Sequence, residues 1–137
     1  MSTATEKVSD SDLRMFTGTE GYHRWSVLFR HHVLTDGAKY LAEKCGAYWL
    51  MDAIASHHAS AMRDPRLREM QIWFLRKNKT NDGVNLTCWA DTGQGEKHKI
   101  LQRIPYSDFF NNFDGDEIKL YVEPMENLWV VMLPSER

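Results

Sequence analysis

Residues 70–90 read MQIWFLRKNKTNDGVNLTCWA, and their hydrophobic period is two. Met70, Ile72 and Phe74 fall on one side of an extended chain, which predicts a strand with one wholly apolar face and one mixed face. The 81–83 tripeptide Asn-Asp-Gly predicts a tight turn, because Asp-Gly accepts the positive φ angles that a hairpin needs. A second strand is predicted over 84–90. The stretch therefore predicts an antiparallel hairpin.

Three more apolar segments follow towards the C-terminus. A strand is predicted over 99–104, where Pro105 ends it, because proline cannot donate to a sheet ladder. Segments 117–122 and 128–133 predict a further hairpin around Pro124 and Asn127. Together with the first hairpin, these segments predict a sheet of about five strands.

Upstream of residue 65 the period is helical. Thr35 and Asp36 supply N-cap oxygens for a helix over 35–45, and Gly46 follows where a left-handed residue ends a helix. A second helix is predicted over 47–62, because its apolar residues recur on one face of a 3.6-residue period. Asp64-Pro65 ends it, since the residue before proline disfavours the helical conformation.

The N-terminal segments carry weaker signals. Residues 1–10 are polar and predict a disordered tail, after which Ser11 is expected to cap a short turn. Residues 16–21 hold two glycines and two hydroxyls, which predicts a structured loop. The segment 22–34 is compatible with either a helix or a strand.

Helices and strands are segregated along the chain instead of alternating, which indicates an α+β fold. We predict one domain over residues 11–137, with two N-terminal helices packed on a mainly antiparallel sheet of about five strands.

Composition excludes several classes of protein. The chain has 137 residues, a net charge of −2 and 42% hydrophobic residues, so it is not disordered and has no global field for nucleic acid. No window approaches the roughly twenty apolar residues of a membrane span, and no membrane partner is expected. Two cysteines without a CxxC motif and the absence of a secretion signal predict a cytoplasmic protein.

Motifs for metal, cofactor or nucleophilic chemistry are missing. No HxxxH or HExxH spacing, no Gly-x-Ser-x-Gly elbow and no phosphate-binding loop occurs in the sequence. His58 lies on the apolar stripe of the second helix, which is typical of a hydrogen-bonded core histidine. We therefore predict no metal, no cofactor and no catalytic residue assigned by motif.

One carboxylate and one histidine suffice for acid–base chemistry, so the loops hold a candidate site. Its residues are Thr17, Glu20, His23, Asp36 and Asp108. Each also has a structural interpretation, such as a helix cap for Asp36 or a turn for Asp108.

A second candidate is a partner-binding surface. Arg66, Arg68, Arg76 and Lys77 form a basic strip interleaved with Trp73, which could contact phosphates or a protein, or simply protect a strand edge. Five tryptophans are many for this length, and indole rings are favoured at interfaces. Trp49 falls off the main stripe of its helix and joins this set.

Five strings together resemble a known family: FTGTE at 16–20, TDG at 35–37, GAYWL at 46–50, YSDF at 106–109 and LPSE at 133–136. Their order resembles a family of small bacterial proteins of unknown function, found on plasmids, prophages and integrative elements. The resemblance implies an accessory protein of mobile DNA and no assigned activity. Arg137 stands where that family usually closes with an aromatic residue.

These observations support three functional hypotheses. The first is a non-enzymatic binding protein that blocks a host protein complex, such as a nucleic-acid-targeting defence complex, as anti-CRISPR proteins do. The second is a nucleic-acid-binding accessory protein that uses the basic strip. The third is a small enzyme built on the Glu, His and Asp loop residues.

Overall fold

One seven-stranded sheet organises the computed structural model, which describes residues 7–137. The strands are β1 (Tyr22–His23), β2 (His32–Thr35), β3 (Gln71–Lys77), β4 (Val84–Trp89), β5 (Ile100–Ile104), β6 (Glu117–Met125) and β7 (Leu128–Met132). Their order across the sheet is β1-β2-β7-β6-β3-β4-β5. All neighbours are antiparallel except β2 and β7, which are parallel. The α+β class and the mainly antiparallel sheet are thus confirmed.

Five α-helices occur in the described residues. They are α1 (Asp10–Leu13), α2 (Asp36–Lys44), α3 (Tyr48–Ser56), α4 (His58–Ala61) and α5 (Phe109–Asn112). Single 3₁₀ turns cover Val27–Phe29 and Pro134–Glu136. The prediction of only two helices, both N-terminal, was wrong, because α5 lies between β5 and β6 and three of the five helices have only four residues.

The predicted strand count was also too low, since β1 and β2 come from the ambiguous segment 22–34. All four residues of β2 are buried, and β2 pairs with β7 almost a hundred positions along the chain. Local periodicity carries no information about such a partner, so tertiary pairing decides the conformation here.

The helix predicted over 47–62 is divided at His57. The backbone of His57 leaves helical geometry (φ −89°, ψ 5°). Its Nε2 lies 2.7 Å from Oε1 of Gln102 on β5. The contact with β5 coincides with the break between α3 and α4.

The N-terminal boundary also differs from the prediction. Ser9, and not Ser11, caps α1: its Oγ accepts from the Asp12 N–H, and the Asp12 carboxylate accepts from the Ser9 N–H. Val8 is buried and forms an isolated bridge with Phe113. Within the predicted tail, Val8 is therefore packed on the domain, Ser9 and Asp10 begin α1, and residues 1–6 lie outside the described residues.

The two faces of the sheet are covered differently. Every helix contributes to one large core on the first face, which we call the helix face; Leu50, Trp73 and Leu120 are among its fully buried side chains. On the other face, a smaller cluster of Val33, Val130 and Met132 is built from strand residues alone. We call this second face the open face, because none of the helices in residues 7–137 contributes to its cluster.

Candidate functional site

Three separate segments of the chain meet at the N-terminus of α2. Thr35 caps the helix, its Oγ1 accepting from the Ala38 N–H at 3.2 Å. The Glu136 carboxylate arrives from the C-terminal turn and accepts from Gly37 N–H at 2.9 Å, Leu133 N–H at 3.0 Å and the Thr35 hydroxyl at 2.5 Å. A carboxylate is favoured there because the first N–H groups of a helix lack intrahelical acceptors.

The loop before β1 binds the same helix end. Asp36 N–H donates to Thr19 Oγ1 at 2.9 Å, and the Thr19 hydroxyl donates to the Gly21 carbonyl. The Asp36 carboxylate accepts from the Glu20 N–H at 2.9 Å and contacts His23 Nε2 at 2.8 Å. The bond with His23 is the main reason that the pKa of Asp36 lies below its usual value, and the Glu20 N–H lowers that pKa further.

Gly37 is required by the close approach of the C-terminal turn. A Cβ atom at this position would lie 2.5 Å from Leu133 Cδ1 and 2.6 Å from Glu136 Oε1. No larger side chain fits without moving that turn. We call Thr19, His23, Thr35, Asp36, Gly37 and Glu136 the α2 network.

The α2 network uses its acceptors internally. Both oxygens of Asp36 and both oxygens of Glu136 accept hydrogen bonds from this chain. His23 and Asp36 each keep about a third of their side-chain surface exposed. Since an ionised carboxylate only accepts, Nε2 of His23 carries the proton in this pair. The arrangement joins segments 19–23, 35–37 and 133–136.

The open face carries a different kind of chemistry. Because side chains alternate along a strand, six strands contribute to it; its residues include Val33, Ile72, Phe74, Arg76, Trp89, Leu101, Arg103, Lys119, Tyr121, Val130 and Met132. Tyr121, Met125 and Leu128 pack beside the cluster of Val33, Val130 and Met132. An apolar patch therefore lies near the β6–β7 end of this face.

Cations cover the aromatic rings next to that patch. The Arg76 guanidinium lies 4.3 Å from the Phe74 ring, and Lys119 Nζ lies 5.1 Å from the Tyr121 ring. The Arg137 guanidinium lies 5.7 Å from the centroid of the same Tyr121 ring. Such contacts hold a cation on an aromatic surface, and Arg76 and Arg137 are in addition paired with Glu117 and Glu123.

Comparison with known proteins places the chain in a family. Residues 7–137 match the model of a family of unknown function, DUF6876. The chain belongs to DUF6876. This confirms the resemblance to a family of unknown function and covers nearly the whole sequence. No curated protein and no solved structure matches the chain significantly.

In this DUF6876 chain the predicted loop site forms only in part. His23 and Asp36 are in direct contact, and Glu20 joins them through its backbone N–H. Thr17 is exposed and has no side-chain hydrogen bond within residues 7–137. Asp108 precedes α5 and lines a separate cavity, so the five residues do not converge in one pocket.

The prediction that Trp73 belongs to a partner-binding surface was wrong. Its side chain is only 1% exposed, so it cannot contact a partner of the folded chain. Its Nε1–H donates to Gln71 Oε1 at 2.9 Å. Gln71 made this side of the strand look mixed, but its amide is buried with the indole and satisfies it.

The basic residues do not form one strip either. Arg66 and Arg68 precede β3, whereas Arg76 and Lys77 end it, roughly 20 Å away along a seven-residue strand. Arg66 pairs with Glu96 at 3.2 Å, and Arg76 pairs with Glu117 at 2.5 Å. Arg68 donates to the Met62 carbonyl. Of these four residues, Arg76 is the one that belongs to the open face.

Trp49 and Lys77 line cavities away from the open face. Trp49 is half-buried beside a cavity of about 230 Å³ that it shares with Tyr106 and Asp108. Lys77 borders a second cavity of about 220 Å³ with Asp82 and Tyr106. The predicted partner residues are thus distributed over several surfaces.

Two histidines, the buried His32 and the half-buried His58, pack together on the helix face. The rings of His32 and His58 lie 5.1 Å apart at right angles, and the Trp129 ring lies 5.1 Å from His58. Burial, then the nearby His58 and His31, lower the pKa of His32 to about 4. The prediction of a hydrogen-bonded His58 was wrong at Nδ1, which is buried without a partner in the described residues.

Neither a cluster of metal ligands nor a membrane-spanning helix occurs in residues 7–137. In that range no three His, Cys, Asp or Glu side chains are grouped closely enough to hold a metal ion. None of its helices has the length and hydropathy needed to cross a bilayer.

Proposed function

We propose that this protein is a non-enzymatic binding protein that contacts a protein partner through the open face of its sheet. The observation that carries the proposal is the apolar cluster of Val33, Val130 and Met132, to which no helix of residues 7–137 contributes and beside which Tyr121, Met125 and Leu128 stay half-buried. Contiguous apolar surface with a polar rim is typical of protein interaction sites.

The charges of the face suggest the chemistry of the partner. Arg76 and Arg137 are paired with Glu117 and Glu123, so their charges are largely compensated. Lys119 and Arg103 form no ion pair with any of residues 7–137, and both border the face. A partner that places carboxylates near these two cations and apolar side chains over the half-buried Met125 and Leu128 would match it.

The α2 network supports the non-catalytic part of the proposal. The acid–base candidate Asp36 is already engaged by the Glu20 N–H and by His23, and the neighbouring Glu136 carboxylate by the Gly37 and Leu133 N–H groups. A carboxylate that caps a helix contributes mainly to folding. The network therefore gives His23 and Asp36 a structural role that requires no substrate.

The identity of the partner is a further part of the proposal. We infer a cytoplasmic role for a mobile element, in which the chain blocks a host complex that targets nucleic acid. The resemblance of the five strings to proteins of plasmids and prophages supports this step. The buried, unbridged thiols of Cys45 and Cys88 are compatible with a reducing compartment.

A capture experiment tests the proposal. Tagged wild type, a Met125→Lys/Leu128→Lys double variant and a Leu28→Lys control are used to capture proteins from a bacterial host lysate. Leu28 is 82% exposed on the 3₁₀ turn away from the open face, so it matches the change of leucine to lysine. We expect one protein complex that the double variant loses and the control retains.

Two results would contradict the proposal. One is a captured complex that the double variant and wild type retain equally at equal thermal stability. The other is capture that nuclease treatment abolishes and moderate salt weakens steeply, which would indicate nucleic acid as the partner.

A further inference from the structure

Strand β6 is longer than its neighbour β7. β7 pairs with Tyr121–Met125 of β6, from Met132 opposite Tyr121 to Leu128 opposite Met125. Beyond Met132 the chain reaches Pro134, which starts a 3₁₀ turn and leaves the sheet. Positions 117–120 of β6 therefore have β3 on one side and no strand on the other.

The register shows which backbone groups face this gap. Lys77 N–H donates to the Asp116 carbonyl, so even-numbered residues of β6 bond towards β3. Trp129 N–H donates to the His31 carbonyl, so Val130 and Met132 bond towards β6, opposite Glu123 and Tyr121. By the same alternation, the N–H and C=O of Lys119 point into the gap. No backbone or side-chain group of residues 7–137 bonds to them.

A cavity of about 430 Å³ adjoins these groups. Leu13, Ile118, Leu133 and Pro134 give it an apolar lining. Its charged lining residues are Lys119 and Arg14, which form no ion pair within residues 7–137, and Asp10 at the start of α1. We call this feature the β6 notch.

We propose that the β6 notch binds an extended peptide segment of a protein partner as an added strand beside β6. Free N–H and C=O groups aligned along a strand are satisfied best by another peptide backbone, which presents both at the strand spacing of about 4.8 Å. This recognition is what distinguishes a peptide from a small apolar molecule. The proposal is independent of the open-face proposal.

The lining predicts the sequence pattern of the bound segment. Successive side chains of an added strand alternate between the helix face and the open face. Those on the helix face would meet Leu13, Ile118 and Leu133, so they should be apolar. Those on the other face would lie beside the Lys119 side chain, so they should be acidic.

Amide exchange of the free full-length chain, measured by NMR, tests the premise. The Lys119 amide should exchange about a hundredfold faster than those of Ile118 and Leu120, which bond towards β3. Equal protection of the three amides in a monomer would overturn the proposal, because the gap would then be closed. Protection of Lys119 that rises with protein concentration alongside a dimer mass would assign the notch to a second copy and would also overturn it.

A peptide titration tests the binding itself. The probe is a fluorescein-labelled heptapeptide of alternating valine and glutamate, which should bind and slow exchange of the Lys119 amide. Lys119→Glu should weaken binding about tenfold, whereas the exposed loop control Lys97→Glu should leave it unchanged. Failure of the peptide to bind, or equal binding to Lys119→Glu, would overturn the proposal.

Methylated probes check for backbone pairing. In one isomer the valine nitrogens are methylated, and in the other the glutamate nitrogens. An added strand turns only one of these sets towards β6, so one isomer should lose binding and the other keep it. Equal binding of both isomers and the parent peptide would overturn strand addition. The open-face double variant Met125→Lys/Leu128→Lys should bind the parent peptide normally, so the two proposals can fail separately.

Discussion

The α2 network and the open face use polar groups in opposite ways. In the network, all four carboxylate oxygens of Asp36 and Glu136 accept hydrogen bonds from the chain itself. On the open face, Lys119 lies against the Phe74 and Tyr121 rings and Arg103 is exposed on β5, and neither forms an ion pair within residues 7–137. The difference indicates that the strings FTGTE, TDG and LPSE maintain the fold, whereas the proposed interaction surface consists of alternating strand residues.

Removal of the network's central acceptor should have the largest effect. Glu136→Ala leaves Gly37 N–H, Leu133 N–H and the Thr35 hydroxyl without their acceptor. We expect the free energy of unfolding to fall by about 4.5 kcal/mol, at roughly 1.5 kcal/mol for each of the three bonds to a charged group. Urea denaturation measures it, with the exposed Glu69→Ala as the control. A loss equal to that of the control would show that the hydrogen bonds of Glu136 do not stabilise the fold.

Acid should lower the stability of the fold nearly as much, because His32 of β2 is buried on the helix face. The unfolded state binds a proton at His32 below about pH 6.5, whereas the folded state does so only near pH 4. The contribution of the neutral His32 to the free energy of unfolding should therefore be fully present above pH 6.5. It should fall by about 3 kcal/mol as the pH is lowered to 4.

Denaturation of wild type and His32→Phe at pH 7.5 and pH 4.5 measures this effect. The variant should lose less stability on acidification than wild type. An equal acid-induced loss in both proteins would assign the effect to other groups.

Adding a methyl group at Gly37 should lower the free energy of unfolding less than removing the Glu136 carboxylate does. Gly37→Ala brings a Cβ within 2.6 Å of both Leu133 and Glu136, so the C-terminal turn must shift. We expect a loss of about 2 kcal/mol. In Gly93→Ala the new Cβ would have no neighbour closer than 3.8 Å, and thermal unfolding of that variant should match wild type. Equal midpoints for the two variants would contradict the close approach at Gly37.

Two threonines of the same loop provide a matched pair. Thr19→Val removes the acceptor of the Asp36 N–H and the donor to the Gly21 carbonyl, which should cost about 1 kcal/mol. Thr17→Val changes an exposed residue that makes no side-chain bond within residues 7–137, so its stability should be unchanged. The reverse order would place the structural role on the other hydroxyl.

The smallest change in stability is expected on the open face. Arg103→Glu alters an exposed side chain of β5 and should change the free energy of unfolding by less than about 0.5 kcal/mol. The amount of partner that it captures should nevertheless fall, although its stability is preserved. Unaltered capture would remove Arg103 from the interface.

Local patterns predicted the central and C-terminal parts of the fold well. The β3–β4 and β6–β7 pairs are hairpins whose strands are close in sequence. The turn residues 81–83 mark the first of them. Strand β2 escaped prediction because its parallel partner β7 is distant in the chain. The break at His57 was missed for the same reason, since it accompanies a contact with Gln102 on β5.

The site was predictable only where one element contains its signal. Thr35 was expected as a cap, and it caps α2. Glu136 was missed as a network residue because nothing near LPSE indicates that its carboxylate reaches Gly37; only the joint occurrence of the strings hinted at a connection. Trp73 was misplaced because a buried Gln71 resembles a surface residue in a sequence pattern.

Photo-crosslinking in host cells tests most directly whether the open face is the interaction surface. p-Benzoylphenylalanine is placed at Tyr121 on the open face, or at Tyr106, which is 67% exposed beside the Trp49 cavity. The open-face proposal predicts a crosslinked partner from position 121 and none from position 106. A crosslink from position 106 alone would contradict it and move the interface to the surface around Trp49 and Asp108.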